Sequence, residues 1–275
     1  MQERLVDVAA ADAFMRDTLL QERVRAVWNG EANDGGSASE LFIEGIFPAL
    51  DGGTNLDKLT AEGIVAPALR DQLATRDNAM TSRPLYKHQR DAIELAAEPG
   101  ANRPVVVVRA GTGMGKTESF LLPLLNDLHT RRRASLTGGV RAIVLYPMNA
   151  LVNDQVERLH EWMKGQEACR IFHFTSETPE DTRAADKTDY PIFDKSRIRT
   201  RKQARENPPD VLVTNYSMLE YMLMRPQDTP FFGPNLSVFV LDEMHLYSGT
   251  LAAEIALLLR RVIIRCGLSV GPKTS

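Results

Sequence analysis

The sequence is poor in cysteine: it has only Cys169 and Cys266, far apart and without a C-x-x-C pair. Disulfide-stabilised scaffolds and zinc ribbons need more cysteines at closer spacing. Four of the five histidines also lack metal-ligand spacing. Both protein classes are therefore excluded, and a reduced, cytoplasmic location is expected.

A long uninterrupted hydrophobic run is missing too. The N-terminus, MQERLVDVAAAD, carries acids instead of the basic-then-apolar order of a signal peptide. The most apolar long segment, LAAEIALLLRRVII, is broken by Glu254, Arg260 and Arg261, so no membrane span is expected. A net positive charge is also missing, because 33 Lys and Arg are outnumbered by 36 Asp and Glu, which leaves a net charge of -3. This balance excludes a uniformly basic nucleic-acid coat but leaves a local basic groove open.

Two kinds of pattern divide the chain near residue 83. Residues 1–82 hold helical patches separated by turn-rich stretches, NGEANDGGSAS and DGGTN, which predict a mostly helical N-terminal extension. Residues 83–275 alternate short β-branched runs with longer amphipathic ones, which predicts an α/β domain with a mostly parallel sheet between helices. The candidate strands are PVVVVRA, RAIVLYP, RIFHF, DVLVTN and SVFVLDE.

A glycine-rich turn, GTGMGKTES, follows the first candidate strand and precedes a helix. Glycines let the backbone curl so that successive N–H groups face one anion, and the helix N-terminus adds positive potential. Lys116 is placed to reach the β- and γ-phosphates of ATP, and Thr117 to offer a hydroxyl to Mg²⁺. Ala110 stands where the strict pattern has its first glycine. The predicted phosphate cradle is Gly111, Thr112, Gly113, Met114, Gly115, Lys116 and Thr117.

Two adjacent carboxylates end a later candidate strand in SVFVLDEMH. Asp242 is placed to hold Mg²⁺, and Glu243 to orient and deprotonate the water that attacks the γ-phosphate. By itself, an acidic pair after an apolar strand is a weak signal, because many strands end in solvated carboxylates. The glycine-rich turn upstream favours the catalytic interpretation.

Together these segments resemble superfamily 2 DEAD/DEAH-box helicases over residues 83 to 265. AGTGMGKTES, YPMNALVNDQ, PPDVLVTNYSMLEYMLMRP and VLDEMHLYSG are similar to motifs I, Ia, Ic and II in that order, and RPLYKHQRDAI is similar to the Q motif. Within the family, the segments most resemble bacterial Mrf-type DNA-repair helicases and helicase subunits of phage-defence systems. The resemblance implies a RecA-like P-loop domain that uses ATP and Mg²⁺ to move on nucleic acid.

The resemblance also implies roles around the nucleotide. Gln89 would read the adenine edge through its amide, and Tyr86 would stack on the base. A core aromatic under the first helix is an equally good interpretation of Tyr86. His245 would couple the nucleotide site to a second motor domain, with a packed histidine at the sheet edge as the alternative. Met244 departs from the small residue that is usual in the family.

Contacts to the backbone of a single nucleic-acid strand are a further implication. For Asn149 and Asn215, helix capping or turn formation is the alternative. The basic run KSRIRTRKQAR is expected to be a solvated loop balanced by the acids before it. Only the resemblance to the bacterial repair and phage-defence helicases favours DNA, single-stranded or tailed, over RNA. The candidate contacts are Pro147, Asn149, Ala150, Thr178, Thr214 and Asn215.

The family works with two RecA-like domains, and arginine fingers of the second contribute about 10³ to 10⁵ in rate. After TLAAEIALLLRRVIIRC only nine residues remain, with no S-A-T segment. We therefore expect the ATP-binding motor half of a longer helicase or translocase in repair or phage defence, with a second RecA-like domain in cis or trans and slow turnover alone. A nucleic-acid-binding sensor or scaffold with little turnover is the alternative. Gln89 and YPMNAL argue against a P-loop ATPase of another class.

Overall fold

The chain divides into two compact units, residues 1–48 and 49–275. In the first unit, the described part is one largely exposed helix, α1 (Thr18–Trp28). The computed structural model describes residues 18–28, 49–98, 105–111, 113–130, 139–147, 156, 159–162, 170–185, 198 and 200–268.

A four-stranded parallel sheet organises the second unit. Its strands are β1 (Ala142–Tyr146), β2 (Ile171–Phe174), β3 (Val211–Asn215) and β4 (Val238–Leu241), in the order β2-β3-β1-β4. In register, Ala142 of β1 pairs with Val211 on one side and Val238 on the other. Parallel strands require crossover connections, which here contain helices. The prediction of an α/β fold with a parallel sheet between helices is confirmed.

Helix starts follow from local capping chemistry. The side chains of Asn55, Thr200 and Asn215 each accept a backbone N–H from the first turn of the helix that follows. No helix in the described ranges is long and apolar enough to cross a lipid bilayer. In this unit the described helices are α2 (Leu56–Ala61), α3 (Pro67–Arg76), α4 (Asn78–Ser82), α5 (Lys87–Ala97), α6 (Lys116–Thr130), α7 (Thr182–Ala185), α8 (Arg201–Glu206), α9 (Tyr216–Met224) and α10 (Gly249–Arg265), with 3₁₀ turns at Pro226–Phe231 and Met244–Leu246.

Both faces of the sheet are buried. Along β1, Val144 and Tyr146 join a core with α2, α3, α5 and α6, whereas Ile143 and Leu145 join a second core with α9 and α10. Successive side chains of a strand point to opposite faces, so a strand between two helical layers must be apolar throughout. This is why the predicted strands read as continuous apolar runs.

The first predicted strand is an exception. Residues 105–110, the described part of PVVVVRA, belong to no strand. Val105 is 91% exposed and Val107 69%. Valine favours a β conformation, but a strand also needs a partner edge, and among the described strands β4 pairs only with β1. The prediction of a strand here is wrong, because local propensity does not supply a hydrogen-bonding partner.

Residues 49–82 lie in the same compact unit as the sheet. The side chain of Asn126, on α6, accepts the N–H of Ala66 at 2.8 Å and donates to the carbonyl of Ile64 at 2.8 Å. These bonds fix the turn between α2 and α3 to the helix that follows the glycine-rich turn. The predicted domain boundary after residue 82 stays a prediction. Leucines from both regions share one core, among them Leu59, Leu69, Leu73, Leu121 and Leu125.

Replacing Asn126 by alanine should lower the free energy of unfolding by roughly 2 to 4 kcal/mol, because two partly buried backbone groups lose their partner. Urea unfolding of the purified chain measures this change. The exposed helical position Glu254→Ala serves as control and should stay within about 0.5 kcal/mol of the wild type. Equal effects of the two substitutions would contradict the role of Asn126.

Candidate nucleotide and nucleic-acid site

A cleft of about 420 Å³ is lined by residues around the start of α5 and by residues of the glycine-rich turn and the start of α6. It brings the predicted base-binding residues, Tyr86 and Gln89, beside the predicted phosphate cradle. Arg83, Pro84 and Glu118 also line it and were not predicted, although they flank the motifs directly. The lining residues are Arg83, Pro84, Tyr86, Gln89, Gly113, Gly115, Lys116, Thr117 and Glu118.

The glycine-rich turn has the backbone that the sequence predicts. Gly113 and Gly115 have φ angles of 76° and 67°, a left-handed region that strongly favours glycine. At Gly115 a side chain would also collide with the amide of Gln89. Helix α6 begins directly afterwards at Lys116, so its unpaired first N–H groups open toward the turn. Thr112 lies outside the described residues.

The amide oxygen and the amide nitrogen of Gln89 are both hydrogen-bonded within the protein. Its side chain is buried, accepts the N–H of Tyr86 at 3.0 Å and donates to the carbonyl of Gly115 at 3.1 Å. The Tyr86 ring is 41% exposed, so it is not the core aromatic of the alternative interpretation. The predicted roles of both residues toward the base stay predictions.

The two predicted catalytic carboxylates follow β4. The N–H of Asp242 donates to the carbonyl of Leu145 at 3.0 Å, which continues the ladder with β1. One Asp242 carboxylate oxygen then accepts the N–H of Glu243 at 2.8 Å. Glu243 itself has φ 49°, the one non-glycine positive φ among the described residues. A strained backbone at this position redirects the chain immediately after the acidic pair.

The electrostatics of Asp242 suit a cation-binding group. Burial raises the pKa of Asp242 above its ordinary value, whereas the N–H of Glu243 and the positive charge of Lys116 lower it in part. A carboxylate held partly away from water gains from a nearby cation. The positive charge of Lys116, in the glycine-rich turn, thus acts on Asp242.

A magnesium ion would find oxygen ligands here. Mg²⁺ is bound in ATP-using sites by one or two protein oxygens together with phosphates and water. The Thr117 hydroxyl and the Asp242 carboxylate match that donor set. Across the described ranges, no cluster of three or more His, Cys, Asp or Glu side chains could hold a metal without such a substrate.

His245 and Met244 project outward. His245 is 72% exposed, and its Nδ1 lies 3.1 Å from a carboxylate oxygen of Glu243. It is therefore not a packed histidine at the sheet edge, and its predicted coupling role stays a prediction. The side chain of Met244 is half exposed and leaves Asp242 and Glu243 adjacent.

The predicted nucleic-acid contacts cluster where parallel strands end. Pro147 follows β1, and Thr214 and Asn215 end β3. The Thr214 hydroxyl is buried and donates to the carbonyl of Phe174 at 2.6 Å. Asn215 accepts the N–H of Met218 at 2.8 Å, the helix capping of its alternative interpretation. Asn149 and Ala150 lie outside the described residues.

Thr178 follows β2 but turns its side chain inward. It is 3% exposed, and its hydroxyl accepts the N–H of Thr175 at 2.8 Å and donates to the carbonyl of His173 at 2.9 Å. The hydroxyl therefore shapes the turn after β2. A contact between this turn and nucleic acid would use the backbone.

Arginines at the end of the basic run are structural. Arg201 donates to the carbonyl of Thr175 at 2.8 Å and covers the Phe174 ring at 4.8 Å. Arg205 is bonded to Glu180 and, at 2.7 Å, to the fully buried Asp228. These residues of α8 are not part of the solvated loop that the sequence predicts, because buried acceptors engage their guanidinium groups.

Comparisons with known proteins identify the family of this chain. The sequence profile of the DEAD/DEAH box helicase family matches residues 86–269. The Druantia protein DruE of Escherichia coli (strain UMEA 4076-1) is 30% identical over 288 residues, covering 70% of this chain and 16% of DruE. This chain thus spans 16% of the length of that relative.

Two solved structures have a similar fold. DUF1998 helicase MrfA bound to DNA superposes with a TM-score of 0.57 at 22% identity, covering 83% of this chain and 27% of MrfA. Mss116p bound to ssRNA and AMP-PNP gives a TM-score of 0.57 at 20% identity, covering 81% and 40%. The predicted RecA-like fold is confirmed.

Asp228→Asn should lower the free energy of unfolding by about 3 kcal/mol, because Arg205 would lose its fully buried counterion and keep only the half-exposed Glu180. Glu220→Gln removes an ion pair of similar length, 2.9 Å to Arg261, whose side chains are about half exposed. That change should cost less than about 1 kcal/mol. Urea unfolding compares the two variants, and similar losses would show that the Asp228 pair is no stronger than a surface pair.

Proposed function

Because the chain belongs to the DEAD/DEAH box helicase family, we propose that it is the ATP-binding motor half of a nucleic-acid helicase or translocase. Residues 83–275 form the motor domain in this proposal, and residues 1–82 a helical extension of it. The chain couples hydrolysis of Mg²⁺-ATP to movement along nucleic acid, together with a second RecA-like domain in cis or trans.

One arrangement supports the proposal most directly. The cleft joins a partly exposed aromatic ring at Tyr86 to a glycine turn with two left-handed residues and to the start of α6. An adenine needs an apolar face to stack on, and a triphosphate needs converging N–H groups and positive charge. Both requirements meet within one cavity, and the positive charge of its lining residue Lys116 acts on Asp242.

Each side chain has a distinct task in this proposal. Lys116 binds the β- and γ-phosphates, and Thr117 and Asp242 hold Mg²⁺, which neutralises charge on the phosphate oxygens. Glu243 accepts a proton from the attacking water, and its backbone is left-handed, with φ 49°. His245 contacts the same carboxylate and is exposed enough to meet a second domain.

Nucleic acid lies across the carboxyl ends of β1, β2 and β3 in this proposal. Thr214 and Asn215 already bond within the chain, so strand ends would present mainly backbone groups to a phosphate backbone, which suits contacts without base specificity. We propose DNA as the substrate, since the YPMNAL and TNYSMLEYML segments resemble DNA-repair and phage-defence helicases. The structural neighbours carry DNA in one case and ssRNA in another, so the experiment compares both.

Titration of the chain with a fluorescent ATP analogue and Mg²⁺ tests the nucleotide site. The wild type should bind, and Lys116→Ala should weaken binding at least about tenfold, because a charged phosphate contact is lost.

Glu243→Gln should keep binding but lower single-turnover hydrolysis by about 10² or more, since a general base is removed. Single-stranded DNA should accelerate the wild type more than RNA of the same length.

Lys58→Ala is the matched control, because it removes an exposed lysine of α2 far along the chain from the cleft. Binding that survives Lys116→Ala as well as Lys58→Ala would refute the proposed site. Binding without any turnover, with or without DNA or RNA, would support a sensor or scaffold instead of a motor.

A further inference from the structure

Two consecutive residues of α5 hold two consecutive carbonyls of the glycine-rich turn. His88 Nε2 lies 2.9 Å from the Met114 carbonyl oxygen, and Gln89 Nε2 donates to the Gly115 carbonyl oxygen at 3.1 Å. A carbonyl oxygen only accepts hydrogen bonds, so His88 must carry its proton on Nε2 in this contact. His88 was not among the predicted site residues.

These bonds set the direction of two peptide planes. In a trans peptide the C=O and the following N–H point in opposite directions. With the carbonyls of Met114 and Gly115 turned toward α5, the N–H groups of Gly115 and Lys116 point away from α5. Those two N–H groups belong to residues that line the cleft, at the start of α6.

Such a restraint is needed because the turn is intrinsically loose. Gly113 and Gly115 flank Met114, and glycine populates positive and negative φ about equally. Without partners for the carbonyls, these peptide planes would rotate, and their N–H groups would face the anion only part of the time. Binding an anion would then include the entropy loss of ordering the turn.

We infer that His88 is a positioning residue for nucleotide phosphate: its bond to Met114 fixes the peptide plane that presents the Gly115 N–H. The inference rests on the proposed nucleotide site. The ligand that this turn would bind is a polyphosphate, with or without a base. The His88 ring also stacks against Tyr86, with centroids 5.7 Å apart and planes at 18°, so one side chain contacts both the phosphate turn and the aromatic face.

The test separates the phosphate role from the aromatic contact. His88→Phe keeps a ring beside Tyr86 but removes the donor, and His88→Gln keeps a donor of similar reach. Competition against the fluorescent ATP analogue gives affinities for ATP and for inorganic tripolyphosphate, both with Mg²⁺. His88→Phe should weaken both ligands by the same factor, about tenfold, and His88→Gln should stay within about threefold of the wild type.

Two results would overturn this inference but leave the proposed nucleotide site standing. One is an unchanged tripolyphosphate affinity in His88→Phe. The other is a loss of affinity for ATP only, which would assign His88 to binding of the base. Failure of the wild type to bind ATP, or full binding by Lys116→Ala, would instead overturn the proposed nucleotide site and the inference with it. His88→Ala, which adds no volume, is measured beside His88→Phe and should lose the same factor on tripolyphosphate. Thermal unfolding confirms that each variant is folded at the assay temperature.

Discussion

The parallel direction of all four strands is the constraint on which the candidate site depends. Because the strands run the same way, β1, β2, β3 and β4 all end at one edge of the sheet. Loops at that edge carry Pro147, the turn containing Thr178, Asn215 and the Asp242–Glu243 pair. In open α/β sheets ligands bind outside the carboxyl ends of the strands. Helices on both faces bury the rest of the sheet, so this edge is where polar side chains can meet a substrate.

A second set of contacts holds the glycine-rich turn in place. It is held from one side by the first turn of α5, through His88 and Gln89, and it continues into α6, which Asn126 fastens to the turn between α2 and α3. Residues 49–55 also bond to the chain just before α5, for example from the N–H of Gly52 to the carbonyl of Leu85 at 2.8 Å. The N-terminal helices of the second unit therefore support the nucleotide cleft, although none of them lines it.

Sequence alone predicts the parts of this molecule that depend on local pattern. Four strands were predictable because burial on both faces leaves an apolar run, and the turn at Gly113 and Gly115 because its φ angles need glycine. The conformation of residues 105–110 was not predictable, because strand formation also depends on a free strand edge that lies elsewhere in the chain. The inward hydroxyl of Thr178, the amide bonds of Gln89 and the buried partners of Arg201 and Arg205 involve residues from other elements. A linear motif records the residue type but not which of its atoms are already bonded.

We propose that one cleft binds the base at Tyr86 and the phosphates at the glycine-rich turn, where the charge of Lys116 acts on Asp242. A crystal structure of this chain with AMP-PNP and Mg²⁺ tests it most directly. We expect phosphate oxygens within hydrogen-bond distance of the Gly115 and Lys116 N–H groups, and the carbonyls of Met114 and Gly115 still bonded to α5. The metal should lie between the Thr117 hydroxyl and the Asp242 carboxylate. A nucleotide bound elsewhere, or phosphates contacting those carbonyls through a rotated turn, would contradict it.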